Sequence, residues 1–566
     1  MTKILGITAF QHDSAACLII DGKIVAAVEE ERLTRKKHDG SFPHKAISYC
    51  LKEAGITIND LDHVAFFWNP WKYFYRRVWH VLSHLPKSIS FLTEQAEYTG
   101  AWLPMVFAKG YLTGRPDYDK NKAKFKFHYV HHHKAHAAST FFLSPFEEAA
   151  ILSIDGVGEW TSTYLAQGSG TTIKKIKSVF FPHSLGSLYT TLTLYLGFKR
   201  NSDEYKVMGM SAYGKPTYYD EFKKIIKLSS EKLFRLDLKY FDYVYGKMKY
   251  WSQHFENIFG PPRKPETEFD QHYFDIAASL QKVFNETMVH IGNVLFKETG
   301  EKKLCMAGGV ALNSVANGVI LKECPFDDIW FQPAAYDSGA SVGAALYVHH
   351  VLLGNPRKNV MRNVYLGPGF SDDEIEEELK SCKLTYRKSE NIASETAEML
   401  SQGKIIGWFQ DRMEFGPRAL GARSIIADPR TREMMDIVNM NIKHRESFRP
   451  FAPAILEEHS SEYFDSDYPS PYMLLVYNVL PGMEKKIAAV THVDGTARVQ
   501  TVDSNSVPAY RSLIEEFYKI TGVPVILNTS FNVRGEPIVT NPADAIRCFY
   551  STGIDSLVIG NYIVDK

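Results

Sequence analysis

The chain opens with three short apolar runs, KILGITAF (3–10), ACLIIDG (16–22) and KIVAAVEEE (23–31), each bounded by turn residues, and this pattern predicts three consecutive strands. A helical stretch near 44–54 and another apolar run, HVAFFW (63–68), follow. The same order returns downstream. ILSIDGVGEW (151–160) and STYLAQGSG (162–170) repeat a strand, an acidic-glycine turn and a second strand. Two such units predict a duplicated α/β half-domain with a cleft between its halves.

Later runs extend the second unit. LCMAGGVALN (304–313) leads a strand into a Gly308-Gly309 turn and then a helix, an arrangement that offers backbone N–H groups to a phosphate. IWFQPAAYDSGASVGAAL (329–346) repeats strand, loop and glycine-spaced helix, with Asp337 where the chain enters the helix. Asp337 is either an N-cap or a carboxylate facing the cleft. The irregular stretch 66–127 contains WNPWKYFYRRVWHVLSHLPKSISF, crowded with aromatics and cations. A membrane-surface helix and a nucleic-acid stacking patch are open readings, but an insertion or lid whose rings pack on the parent domain while its cations reach water is favoured. HHVLLGNPRKNVMRNVYLGPG turns from helix to a Pro/Gly-punctuated linker, which places a boundary near 355–362 and domains at 1–358 and 359–566.

Composition narrows the partners. With 566 residues, 45% hydrophobic and 23% charged, the chain has material for two or more cores. Its 65 basic residues balance 65 acidic ones, so nothing global attracts nucleic acid or anionic membrane, and anions must be bound in local pockets. Six scattered cysteines without a CxxC pair argue against a disulfide framework or a thiolate metal site and point to a reducing compartment. MTKILGITAF reads at once as a strand, and no run approaches about 18 apolar residues, so a soluble, cytoplasmic protein is expected.

The candidate chemistry begins at HHHKAHAAS (131–139). If 132–139 is helical, His132 and His136 share one face at i and i+4 and can reach a single ion, with the His133 ring about a hundred degrees away. A histidine-rich turn entering a buried alanine helix explains the same residues. Asp155, at the end of a predicted strand, and Asp337 complete a mixed N/O set suited to Fe(II), Mn(II) or Zn(II). In the C-terminal half, Arg412, Arg418, Arg423, Arg430, Arg432, Lys443, Arg445 and Arg449 are interleaved with glycine, proline and phenylalanine. That interleaving favours buried, oriented guanidinium groups suited to polyanions.

Nearly the whole chain resembles the carbamoyltransferases that decorate antibiotics and nodulation factors. HDSAA (12–16), EEERLTRKKH (29–38), HHxxHAAS, DGxGE (155–159), KVMGMSAYG (206–214), AGGVALN and YDSGASVG carry the N-terminal likeness. GWFQDRMEFGPRALGARSIIADPR (407–430), NMNIKHRESFRPFAPAIL (439–456), HVDGTARVQTV (492–502) and NTSFNVRGEPIV (528–539) carry the C-terminal one.

The resemblance implies a duplicated ASKHA-type, Kae1-like N-terminal domain and a smaller α/β, YrdC-like domain. It implies ATP-dependent O-carbamoylation of a small-molecule natural product from carbamoyl phosphate, through carbamoyl adenylate, with ATP and Mg as co-substrate. It assigns Fe(II) or another divalent metal to His132, His136, Asp155 and Asp337. Nucleotide and donor contacts go to Gly156, Gly158, Gly308, Gly309, Asn313, Arg418, Lys443, Arg449, Arg498, Asn528 and Ser530. His12 becomes the candidate general base, with a turn histidine bonding its own loop as the alternative. Lys37 would hold a phosphate or the acceptor unless it is simply solvated. The partner expected is a hydroxyl acceptor, with no nucleic acid or membrane, and a homodimer is allowed. The rivals are a tRNA-modifying enzyme of the same fold pair, which the neutral charge disfavours, and a nucleotide-regulated ASKHA binding protein, which leaves the arginine-dense half without a role.

Overall fold

In the computed structural model, which describes residues 1–93, 102–446, 448–504 and 506–566, the chain divides into two compact units. The first is Met1–Glu30 with His38–Met361, and the second is Glu31–Lys37 with Arg362–Lys566. Residues 31–37, expected in the first domain, therefore belong to the second unit. The reason is hydrogen bonding: Arg32 Nη2 donates to Gly416 O (2.9 Å), Arg35 Nη2 donates to Pro537 O (2.9 Å), and Thr540 Oγ1 donates to Arg32 O (2.7 Å).

The first unit contains two five-stranded sheets of identical topology. In one, Lys3–Thr8 pairs antiparallel with Ala15–Ile20, which pairs with Lys23–Glu29; on its other side Lys3–Thr8 runs parallel to His63–Phe66, followed by Lys126–Tyr129. In the other, Glu148–Gly158, Thr161–Ser169 and Thr172–Phe180 form the same meander, while Lys303–Ala307 and Asp328–Phe331 add parallel strands. This is the duplicated α/β half-domain that the sequence predicts. The central strands bury side chains on both faces, as Ile4 through Thr8 and Ala149 through Ile154 do, which explains why their runs are continuously apolar instead of alternating.

Between the sheets lie helices His132–Phe141 and Asp337–Leu346. Gly343 lets them touch at backbone distance, since a Cβ there would sit 1.8 Å from Ala135 O. Arg357 fixes the far end of the first helix: its Nη2 donates to Phe141 O and Ser144 O (both 2.9 Å), and the guanidinium lies 4.5 Å from the Phe141 ring centre.

Within the insertion, the helix Phe74–Ser83 departs from expectation. Its apolar side chains do not all pack inward: Tyr75, Val78, Trp79 and Leu82, at i, i+3, i+4 and i+7, are exposed. Arg76 takes an inward place instead, 4.3 Å from the Phe180 ring centre. Residues 94–101 of the expected lid lie outside the described residues.

The second unit is built on a nine-stranded mixed sheet. Its order is Arg387–Lys388, Tyr562–Asp565, Ser556–Ile559, Ile406–Phe409, Arg423–Ala427, Val525–Ser530, Ala452–Leu456, Thr496–Val502 and Leu475–Asn478. Amphipathic helices such as Pro508–Thr521, which buries Tyr510, Leu513, Ile514 and Phe517, complete this α/β domain. No described helix is long and apolar enough to cross a membrane.

Candidate active site

The helix His132–Phe141 starts where the sequence predicts, and Glu159 explains its start. Glu159 Oε1 accepts the His132 N–H (2.9 Å), one of the donors a helix leaves unpaired at its first turn. One turn apart, His132 and His136 bring their Nε2 atoms within 3.1 Å. Asp155 Oδ2 lies 3.4 Å from His132 Nε2 and 3.1 Å from His136 Nε2. Asp337 Oδ1 lies 3.8 and 3.6 Å from the same two atoms. Asp337 is the first helical residue and not the N-cap, which is Tyr336. Asp155 reaches the group because the pairing of its strand shifts register between Ile154 and Gly158.

These four side chains fit a cation. With metal bonds of about 2.1 Å, donors at tetrahedral corners lie about 3.4 Å apart and cis octahedral donors about 3.0 Å apart, close to the separations observed here. The electrostatics agree. Burial lowers the His136 imidazole, but Asp155 and Asp337 outweigh it and push it up to about 9. Burial raises the Asp155 carboxyl, and His132 and His136 outweigh that too, holding it well below the usual carboxylate range. The pocket favours positive charge, which a divalent ion on neutral imidazoles would supply. His133 is turned away, bonded to Ser153 Oγ (2.8 Å) and Thr161 O (2.9 Å).

Three of the glycines expected to hold phosphate, Gly156, Gly158 and Gly309, adjoin this group of side chains. A Cβ on Gly158 would lie 2.0 Å from the His132 ring, so only glycine admits the imidazole. Gly156 N donates to Asp155 Oδ1 (2.7 Å), a Cβ on Gly309 would come within 3.1 Å of the same oxygen, and Gly308 N donates to Ala335 O (2.8 Å). Asn313 caps the helix Ser314–Glu323, its Oδ1 accepting from Ala316 N (3.0 Å), and its Nδ2 donates to Gln281 Oε1 (3.1 Å). These bonds give it a structural task that the GGVALN motif alone did not separate from phosphate binding.

His12 sits in a turn between the first two strands, where Phe10 (φ 70°) and Asp13 (φ 59°) adopt left-handed conformations. Asp13 Oδ2 accepts from His12 Nδ1 (2.7 Å), and Asp13 Oδ1 accepts from His38 Nδ1 (2.7 Å). Ser202 Oγ and His38 Nε2 are 3.0 Å apart. Ser338 Oγ donates to Asp13 O (3.4 Å), tying this turn to the residue after Asp337. Asp13, His38 and Ser202 were not singled out from the sequence, although HDSAA and TRKKH contain two of them.

In the second unit, Lys443 ends a short π-helical turn and is buried. Its ammonium donates to Ser530 O, Ser530 Oγ (3.3 Å), Asn532 O (3.1 Å) and Asn532 Oδ1 (3.0 Å), all neutral acceptors. Burial first, then the charges of Arg445, Arg449 and exposed Lys37, draw its pKa well down. Arg449 Nη1 meets Glu446 Oε2 at 3.4 Å. Asn528 donates to Gln500 Oε1 (2.8 Å) and Ala419 O (3.2 Å), next to Arg418 in the 416–422 loop. Arg498 lies on the strand Thr496–Val502 beside His492, whose imidazole burial draws down to about 4. Other arginines of the run are structural. Arg423 is fully buried, donates to Asp411 O (3.1 Å), Ala422 O (3.0 Å) and Pro368 O (3.0 Å), and lies 3.6 Å from the Phe409 ring centre. Arg430 is paired with Asp428, and Arg412 donates to Leu366 O (2.8 Å).

The profile of the carbamoyltransferase N-terminus matches residues 3–346, and that of the carbamoyltransferase C-terminus matches residues 397–566. The chain belongs to the carbamoyltransferase family. Nodulation protein NolNO of Sinorhizobium fredii is 39% identical over 571 residues, covering 98% of this chain and 79% of that protein. Protein sll1178 of Synechocystis sp. is 45% identical over 599 residues, covering 100% of this chain and 97% of its own. Protein MJ1058 of Methanocaldococcus jannaschii is 30% identical over the full length of both. This carbamoyltransferase thus carries a potential metal site in one unit and a cation-rich cluster in the other.

Proposed function

We propose that this carbamoyltransferase uses ATP and carbamoyl phosphate to carbamoylate a hydroxyl of a small-molecule natural product by way of carbamoyl adenylate. The observation that carries the reading is the placing of the four-donor cluster in the same unit as the His12 turn, with Ser338 Oγ bonded to Asp13 O at 3.4 Å. In the first step, carbamoyl phosphate is hydrolysed to carbamate and phosphate; a carbamate oxygen then attacks the α-phosphorus of ATP and pyrophosphate leaves. The YrdC-like second unit is assigned this step, with Arg418, Lys443, Arg449, Arg498, Asn528 and Ser530 as the contacts for the anionic groups and Lys37 as a further phosphate contact.

In the second step, the acceptor oxygen bonds to the carbamoyl carbon, the bond from that carbon to the adenylate oxygen breaks, and AMP leaves. The hydroxyl proton passes to His12, a contribution typically worth about 10² to 10⁴ in rate. Fe(II) or another divalent ion on His132, His136, Asp155 and Asp337 would supply polarisation of the carbamoyl donor.

Purified protein mixed with carbamoyl phosphate, ATP and Mg should release pyrophosphate only when carbamoyl phosphate is present, and RNA should not change the rate. Pyrophosphate release independent of carbamoyl phosphate, or no release at all, contradicts the reading.

A further inference from the structure

Asp13 makes a two-sided bond for which the transfer chemistry above has no use. Its oxygens accept from two different imidazoles, His12 and His38, at 2.7 Å each. A carboxylate is an acceptor only, so each imidazole presents Nδ1–H to it. That assignment leaves the basic lone pair of neutral His12 on Nε2, the nitrogen a substrate proton would need. On the other arm it lets Ser202 Oγ donate to His38 Nε2, 3.0 Å away. The carboxylate is 8% exposed, against 29% for His12 and 30% for His38, so the buried member of the chain is the one that orients the others. Burial alone would raise the Asp13 carboxyl; the bonds and charges of His12 and His38 outweigh it and hold it ionised. Its backbone is pinned as well, by the left-handed φ of 59° and by the bond from Ser338.

We propose that Asp13 is the positioning residue of the transfer step, fixing the tautomer and direction of His12, and that His38 with Ser202 forms a second arm holding Asp13 in place. This rests on the reading of His12 as general base. The arrangement is a carboxylate-oriented imidazole, in which the carboxylate stays ionised and stabilises the imidazolium that forms when the acceptor proton arrives. A further charged group facing His12 is Glu204, held by Thr190 Oγ1 (3.0 Å) and Asn201 N (2.9 Å). Burial raises the Glu204 carboxyl, whereas Asp13 is held ionised, so of the two Asp13 is the firmer negative charge.

The test uses the full-length protein and measures acceptor carbamoylation against pH alongside carbamoyl-phosphate-dependent pyrophosphate release. Asp13→Asn should lower kcat for transfer by about 10²-fold or more with little change in acceptor KM, and should move the rising limb of the pH profile to lower pH because the carboxylate no longer favours the imidazolium. His38→Ala should lower kcat about tenfold, and His38→Gln, which keeps a donor toward Asp13, should recover part of that loss. Pyrophosphate release and metal content should match the parent in all of them. Asp13→Asn added to His12→Ala should cost nothing further. If His12→Ala is inactive but Asp13→Asn transfers at the parent rate with an unmoved profile, or the two losses multiply, the positioning role is wrong while the base assignment stands. If His12→Ala itself retains full transfer, the general-base reading fails, and this inference with it.

Discussion

The two units handle charge in opposite ways. In the first, two carboxylates and two imidazoles converge within 4.8 Å of one another, and the excess negative charge raises His136 to about 9. In the second, a buried ammonium is held only by neutral oxygens and faced by further cations, so its pKa is drawn down. On the proposed reading, a cation would complete the first cluster and an anion the second. Under the proposed function, activation of a phosphorylated donor and transfer of an acyl group would use both kinds of site, and the contrast predicts which unit should fail in which half-reaction.

The sharpest way to break the contrast is within the first unit. His136→Ala should remove the bound metal and lower acceptor carbamoylation by about 10³-fold or more, since polarisation by a bound ion is worth several kcal/mol. Elemental analysis alongside the assay checks it; undiminished metal would remove His136 from the ligand set.

Within the second unit, two arginines from the same sequence run should behave differently. Arg423→Met leaves the carbonyls of Pro368, Gln410, Asp411 and Ala422 without their donor and should cost about 3 kcal/mol, read as a lower urea midpoint at unchanged slope. Arg449→Lys should leave that midpoint near the parent value but slow carbamoyl-phosphate-dependent pyrophosphate release by about 10²-fold, because one ammonium does not reproduce a guanidinium fork. If both variants only destabilise, the cluster is structural throughout.

Those two arginines also mark where the sequence stops being legible. Both lie among glycine, proline and phenylalanine, and the pattern read all of them as oriented cations. Only the fold reveals that Arg423 is consumed by carbonyls of the 410–422 turn and of Pro368. The convergence of His132, His136, Asp155 and Asp337 was readable because its parts follow local rules: i and i+4 on a helix, a strand end, a helix entry. The duplicated sheets were readable because buried strands leave continuous apolar runs. Asp13 and His38 were not, since they are 25 positions apart and meet only through left-handed turn residues. Segment 31–37 is a related case: proximity in sequence groups it with the first domain, and bonds to residues hundreds of positions away group it with the second compact unit.

The smallest effect tests how rigidly the first cluster is held. Arg357→Ala removes the donors at the C-terminal end of the helix bearing His132 and His136, and should cost about 1–2 kcal/mol in stability while weakening metal retention during dialysis a few-fold. Unchanged retention would mean that the cluster is held by its own packing, independent of the helix end.

The division of labour is tested most directly by stripping the metal. The protein is dialysed against a chelator and returned to buffer containing Mg alone. Metal content, pyrophosphate release and acceptor carbamoylation are then followed on the same sample. The account predicts that pyrophosphate release persists at the parent rate while transfer is lost, and that added Fe(II), Mn(II) or Zn(II) restores transfer in proportion to the metal rebound. Transfer that survives complete removal of the metal, or pyrophosphate release that disappears with it, would contradict the assignment of cation and anion chemistry to separate units.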